Sequence, residues 1–464
     1  MSRYSLAVKM IALALLVALV APLAGVFAQG GTILEVAAAQ GNFTTLLALV
    51  DAAGLTETLN GEGPFTVFAP TDEAFAALPQ IVTDYLGRNP ELLASILSYH
   101  VVPGALTAAD VTAAASLTTV QGEDLTVTVS GDAVRINSAN VIAADVTADN
   151  GVIHVIDRVV LPTITLPEVT PALLEGDIYT AGSSTVEPVS ILMGDLFAEE
   201  GFSGVVTVEE RGTGGGFELF CQQGATDISN ASRPIKADEL EACRAIGREP
   251  LAFYIGIDPL PVVVSTSNTE VTDLTVEQLA QVFSTGALGT WADINPDWGA
   301  DPIELYSPGT DSGTFDFFVE QVFDKDEEPI LNPDTRAQFS ENDNTLLEGV
   351  AASENAIGYF GYAYYLPNRD RVRPVAINGV LPAPETADTY PLTRPLFIYT
   401  TAQIMQEKPQ VAAFVNYYIS NVRNYLVTAI ESYDPNTQVG YLPVPLDDTN
   451  LNALIWLAAM EGAM

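Results

Sequence analysis

The chain has 464 residues, too many for one hydrophobic core, so roughly two to four domains are expected. Its 48% hydrophobic content and 35 glycines fit folded α/β or β material and argue against disorder. With 18 Lys and Arg against 59 Asp and Glu the formal net charge is −41, which disfavours nucleic acid and anionic membranes as partners and leaves any anion site to short-range hydrogen bonds.

At the N-terminus, Arg3 and Lys9 precede an apolar stretch from Met10 to Val20, and Val26-Phe27-Ala28 offers small residues for cleavage. Residues 1–28 therefore read as an export signal, the alternative being a retained membrane anchor. No Cys stands directly after the signal, and no other run approaches the roughly 20 apolar residues that span a bilayer. Export places the protein in the periplasm or at the bacterial cell surface. The two cysteines, Cys221 and Cys243, are expected to pair in such a compartment. Two histidines, His100 and His154, leave no zinc site of ordinary spacing, so no metal or cofactor is expected.

Residues 31–162 begin with helical patterns around Ile33-Leu34-Glu35-Val36-Ala37 and Leu46-Leu47-Ala48-Leu49-Val50. They turn to β alternation at Leu125-Thr126-Val127-Thr128-Val129 and Ala133-Val134-Arg135-Ile136. Thr71 and Asp72 suit the cap of a helix starting near Glu73. Three motifs follow one another in this segment: Phe65-Thr66-Val67-Phe68-Ala69-Pro70-Thr71-Asp72-Glu73-Ala74-Phe75, Tyr99-His100-Val101-Val102-Pro103-Gly104 and Gly151-Val152-Ile153-His154-Val155-Ile156-Asp157. In kind and order they resemble the signatures of fasciclin domains. That resemblance implies an α+β wedge used in adhesion or surface tethering; the residues themselves read both histidines as structural.

Pro162, Pro167 and Pro171 then recur among Thr, Val and Glu. Residues 163–176 are expected to form an extended, polyproline-like spacer, or alternatively a strap packed along one domain.

From 177 to 464 strands and helices alternate, which predicts α/β layers in two lobes with the ligand between them. Three times an apolar strand runs into a Ser-, Thr- and Gly-rich loop that opens a helix. The loops are Gly182-Ser183-Ser184-Thr185-Val186-Glu187-Pro188, Gly212-Thr213-Gly214-Gly215-Gly216-Phe217, and Ser307-Pro308-Gly309-Thr310-Asp311-Ser312-Gly313-Thr314-Phe315. Each places hydroxyls and free N–H groups at a helix N-terminus, the chemistry of a small-oxyanion site. Ser184 and Glu187 also fit a capping box. Neither a dinucleotide loop nor a P-loop fits: Phe217 stands where the former needs Gly, and no Gly-Lys-Ser/Thr follows.

These loops, together with Thr226-Asp227-Ile228-Ser229-Asn230-Ala231-Ser232-Arg233-Pro234-Ile235, Leu274-Thr275-Val276-Glu277-Gln278-Leu279 with Trp291, and Ala356-Ile357-Gly358-Tyr359, resemble the phosphate-binding proteins of bacterial ABC phosphate importers. The resemblance implies a two-lobed type II solute-binding fold over residues 177–464 that closes on one phosphate and delivers it to a membrane permease. The expected ligand set is Ser183, Ser184, Thr185, Thr213, Gly214, Ser232, Arg233, Ser312, Gly313 and Thr314, with Arg233 as the charged donor. The chain departs from the family pattern, in which an Asp follows the Ser of the third element and an Arg precedes the Ser-Gly-Thr loop. Asp311 and Asp343 are the candidate acceptors of the phosphate proton. An enzyme is not expected, because the second domain has no His, no metal cluster and no nucleophile elbow. The competing function is surface adhesion, with the α/β domain as an oxyanion sensor.

Overall fold

The computed structural model describes residues 30–131, 133–284, 289–310, 312–340, 342–387, 389–431 and 440–461. The export signal expected at residues 1–28 lies outside them. Contacts divide the chain into two units. One comprises Met1–Ala77 and Pro90–Val160; the other comprises Leu78–Asn89 and Leu161–Met464.

In the first unit the described residues form a seven-stranded sheet. Its strands run, in spatial order, Val101–Pro103, Phe65–Pro70, Gly151–Ile156, Ala139–Ala148, Ala133–Ile136, Asp124–Ser130 and Ser116–Thr118. Phe65–Pro70 and Gly151–Ile156 pair in parallel, Phe65 opposite Gly151 and Pro70 opposite Ile156. Their near-continuous apolar composition follows from this position, since both faces are covered. Helix Ile33–Gln40 starts from a capping box of Thr32 and Glu35. Thr71 caps Asp72–Ala76 as expected, accepting from the Ala74 N–H at 3.2 Å. Asp72 acts elsewhere. Its carboxylate accepts from Thr44 N and Oγ1 and from Thr45 N at the start of helix Thr44–Ala52, and those bonds lower its pKa to about 2.

Both histidines are buried and committed to backbone. His100 Nδ1 donates to the Ile96 carbonyl (2.8 Å) while Nε2 accepts from Val160 N–H (3.2 Å). His154 Nε2 donates to the Leu106 carbonyl (2.9 Å), Nδ1 accepts from Asp145 N–H (3.4 Å), and the ring stacks on Phe68. A second ring proton on either residue would face an N–H donor.

The second unit holds two five-stranded sheets among its described residues. The first has the order Leu251–Pro259, Thr393–Thr400, Ile228–Ala231, Ile178–Gly182, Val206–Glu210. The second has the order Gln338–Ser340, Glu304–Pro308, Ala356–Tyr359, Val262–Ser265, Val372–Pro374. The chain leaves the first sheet after Pro259, enters the second at Val262, and returns at Thr393. Each sheet anchors one lobe. The second lobe is filled by aromatic packing around Phe283, Phe318 and Tyr359. Cys221 and Cys243 are bonded, tying the one-turn π-helix Glu218–Gln222 to helix Ala237–Ala245. Among the described residues no helix is long and apolar enough to cross a membrane.

The free spacer expected at 163–176 is instead a strap on the second unit. Leu161 N–H donates to Asp447 Oδ1 (2.9 Å) and Ile164 N–H to Asn450 Oδ1 (3.2 Å). Asn450 Nδ2 donates back to the Leu161 carbonyl, and Asn416 Nδ2 donates to that of Pro167. Prolines leave few N–H groups to satisfy, and side chains of the C-terminal helices bind part of what remains. Helix Gln80–Arg88, which interrupts the first unit in sequence, belongs to the second unit and ion-pairs there through Arg88 with Glu461.

Burial holds the His154 pKa below its ordinary 6.5, with the Leu106 carbonyl and Asp145 opposing. The unfolded chain therefore binds this proton more readily than the native one. The first unit should keep the full contribution above pH 6.5 and lose it as the pH falls towards the depressed native value. Thermal unfolding from pH 7.5 to 5.0 should show a falling melting temperature whose slope is shallower in His154→Gln; identical slopes would refute the assignment.

Candidate functional site

Strand Ile178–Gly182 ends in a turn that only glycine allows: Gly182 has φ +148°, and a Cβ there would lie 2.1 Å from the Asn230 carbonyl oxygen. Ser183 is buried beyond it and spends its groups on the turn. Its N–H donates to the Asn230 carbonyl, its Oγ accepts from Thr185 N–H, and its carbonyl accepts from Val186 and Glu187 N–H. The capping box expected from Ser184 and Glu187 does not form: the helix starts behind Val186 with no side-chain cap, and Ser183 Oγ accepts instead from Thr185 N–H in the turn before it. Ser184 and Thr185 are left facing a cavity of about 650 Å³.

Two further helices begin at this cavity. Gly313–Val322 starts behind Ser312, whose Oγ accepts from Thr314 N–H (3.2 Å), and Gly313 and Thr314 line the space. Asp343–Ala352 starts behind Asn342, whose Oδ1 accepts from Asn344 N–H, and Asp343 and Asn344 line it as well. With Glu187–Glu199, three helices of ten or more residues turn their positive ends towards one volume. Tyr362 and Tyr364 form part of its wall.

Among the described residues lining the cavity, Arg394 is the only base. It stands directly opposite Asp258 on the paired strands Leu251–Pro259 and Thr393–Thr400. Its Nε and Nη2 donate to Asp258 Oδ2 at 3.0 and 2.5 Å. Its Nη1 donates to the Gly313 carbonyl at 3.1 Å, and the guanidinium lies 5.0 Å from the Phe317 ring centre. Arg394 thus holds a carboxylate of one lobe and a helix start of the other. The pair is buried, 11% and 6% exposed at the side chains, and burial raises the Asp258 pKa against the opposing pull of Arg394.

The other expected ligands fall differently. Arg233 does not line the cavity. Its guanidinium forks onto Glu239 at 2.8 and 2.7 Å, donates to the Pro234 carbonyl and lies over Phe217. Glu239 is available because it sits in the first turn of Ala237–Ala245, where its carboxylate also accepts from Lys236 N–H. Thr213 and Ser232 bind each other, hydroxyl to hydroxyl and Ser232 N–H to Thr213 Oγ1, and with Gly214 they lie outside the lining. Asp311 lies outside the described residues.

Arg394, Asp258, Asn344 and Tyr441 were not singled out by sequence. Asp258 carried a usable signal: an acid inside the apolar run Leu251–Pro259 needs a buried partner. Arg394 carried none, being a lone Arg between Thr393 and Pro395.

Comparison with known proteins agrees with this architecture. Residues 41–162 match the model of the fasciclin domain, and residues 167–422 match that of the PBP superfamily domain. Protein SphX of Synechococcus elongatus is 38% identical over 277 residues, 57% of this chain and 76% of that protein. Phosphate-binding protein PstS of Staphylococcus saprophyticus is 35% identical over 254 residues, 53% of this chain and 77% of that protein. The crystal structure of a possible phosphate binding protein from Planctomyces limnophilus is 32% identical, with a TM-score of 0.51, and covers 62% of this chain and 99% of its own. The chain therefore belongs to the PBP superfamily, with a two-lobed solute-binding domain related to SphX and PstS behind an N-terminal fasciclin domain.

Proposed function

We propose that the second unit captures inorganic phosphate outside the cytoplasm and delivers it to the membrane permease of an ABC importer, while the fasciclin domain serves adhesion or surface tethering. The observation that carries this reading is the convergence of three helix N-termini and the Asp258-held Arg394 on one cavity. Ser184, Thr185, Gly313 and Thr314 supply neutral donors, and Arg394 supplies the charged one. Ser183 and Ser312 support the turns behind them. The lining holds two carboxylates, Asp258 and Asp343, against one guanidinium. That balance favours an oxyanion bearing a proton, and Asp343, at a helix start on the cavity wall, is the proposed acceptor. Sulfate offers no such proton at neutral pH. The role is binding, with no bond made or broken.

Titration calorimetry on the full chain tests the assignment. Arg394→Lys keeps the charge and loses the fork, and should weaken phosphate binding about tenfold; the double variant Asp258→Asn with Arg394→Gln, which leaves no orphaned buried charge, should weaken it about a hundredfold. Arg233→Ala should stay within about threefold of wild type. Full affinity in the double variant would overturn the site.

A surface of net charge −41 repels phosphate at long range. The association rate should therefore rise severalfold between about 10 mM and 500 mM salt, the reverse of steered binding, because screening removes the repulsion while the short-range contacts persist. Stopped-flow mixing measures this, and a rate that falls with salt would contradict it.

A further inference from the structure

Tyr441 has no place in the ligand set above, yet it lines the same cavity. It lies beyond residue 422, where the match to the superfamily model ends. The segment that carries it bridges strand Leu251–Pro259, whose end, where the chain crosses between the two sheets, is the hinge: Leu442 N–H donates to the Ile257 carbonyl (2.7 Å) and Ile257 N–H to that of Leu442 (2.9 Å), one residue before Asp258. The Tyr441 hydroxyl then donates to the Thr185 carbonyl at 2.7 Å.

That bond completes the commitments of the first anion loop. Ser183 N–H is bound by Asn230, Thr185 N–H by Ser183 Oγ, and Val186 and Glu187 N–H by the Ser183 carbonyl. The peptide between Thr185 and Val186 is thereby fixed at both ends, its N–H by Ser183 and its carbonyl by Tyr441. Among the described residues, Ser184 N–H and the hydroxyls of Ser184 and Thr185 keep no protein acceptor. The Thr185 carbonyl is a negative dipole end at the rim of an anion cavity. Unpinned, it can turn towards the ligand or capture one of those two hydroxyls, and either loss falls on anion binding. Burial, and next the Asp258 carboxylate, raise the Tyr441 pKa while Arg394 opposes, so the phenol stays a donor at physiological pH.

We infer that Tyr441 is a positioning residue for the oxyanion: its hydroxyl holds the Thr185 carbonyl so that the Ser183–Val186 turn presents only donors to the ligand. This rests on the phosphate-binding reading of the cavity.

The test compares Tyr441→Phe with Tyr390→Phe in the full chain. Tyr390 is buried, donates to the Leu260 carbonyl at 3.0 Å, and does not line the cavity, so it controls for losing a tyrosine–carbonyl bond near the hinge. Phosphate affinity is read by calorimetry and the melting temperature of the empty protein by scanning calorimetry. Both variants should lower the empty-state melting temperature by similar small amounts. Tyr441→Phe should weaken phosphate binding about tenfold and shrink the phosphate-induced rise in melting temperature, while Tyr390→Phe stays within about twofold of wild type. Wild-type affinity in Tyr441→Phe, or an equal loss in both variants, overturns the inference and leaves the phosphate reading standing. Wild-type protein that does not bind phosphate in the same titration overturns both.

Discussion

The ion pair between Asp258 and Arg394 is the constraint around which the solute-binding unit is arranged. Burying two charges costs several kcal/mol of hydration for each, and the pair repays it only with close geometry and further hydrogen bonds. Both conditions are met by placing the residues opposite each other on antiparallel strands and assigning a third N–H, of the five on Arg394, to the Gly313 carbonyl. The location matters as much as the energy. One residue past Asp258, and one residue before Arg394, the paired strands end and the chain crosses between the two sheets. A charge held there is fixed relative to one lobe and touches the other.

The electrostatics of the rest of the unit follow from that choice. The guanidinium is shared with its own partner, so in the proposed phosphate site helix dipoles add to what Arg394 offers an anion. Three helices supply them, and the polar side chains at their starts are turned onto backbone: Ser312 and Asn342 cap their helices, and Ser183 closes the turn ahead of Glu187–Glu199. Hydrogen-bond donors of this kind act over a few ångströms and weaken little with salt. A protein of net charge −41 can hold an anion this way, where an open basic patch would be weakened by the overall field.

Much of this was legible in the residues. Loops such as Gly182-Ser183-Ser184-Thr185 and Ser312-Gly313-Thr314 announce helix starts because turn and cap chemistry is local, and the fasciclin domain was legible through its three motifs in order. The one base on the cavity wall among the described residues, the proposed charged donor, was not legible. Arg233 sits beside the right loops in sequence, but Glu239, six residues on and one turn into a helix, has claimed its fork. Arg394 and Asp258 are 136 residues apart and meet only through strand register, which no local pattern encodes. The same holds for the strap. Its prolines favour extension, yet whether an extended segment runs free or along a surface depends on Asn416, Asp447 and Asn450, 249 to 286 residues downstream of the groups they bind.

Helix Gln80–Arg88 gives the architecture a historical consequence. It is encoded inside the fasciclin segment and yet counts, with its Arg88–Glu461 pair, as part of the solute-binding unit. A seam between two genes joined end to end would leave each half self-contained. Here a recombination event at residue 162 would take from the C-terminal helix a neighbour that no replacement module is bound to provide. Excising the fasciclin segment whole would therefore strip Gln80–Arg88 and its Arg88–Glu461 pair from the solute-binding unit as well.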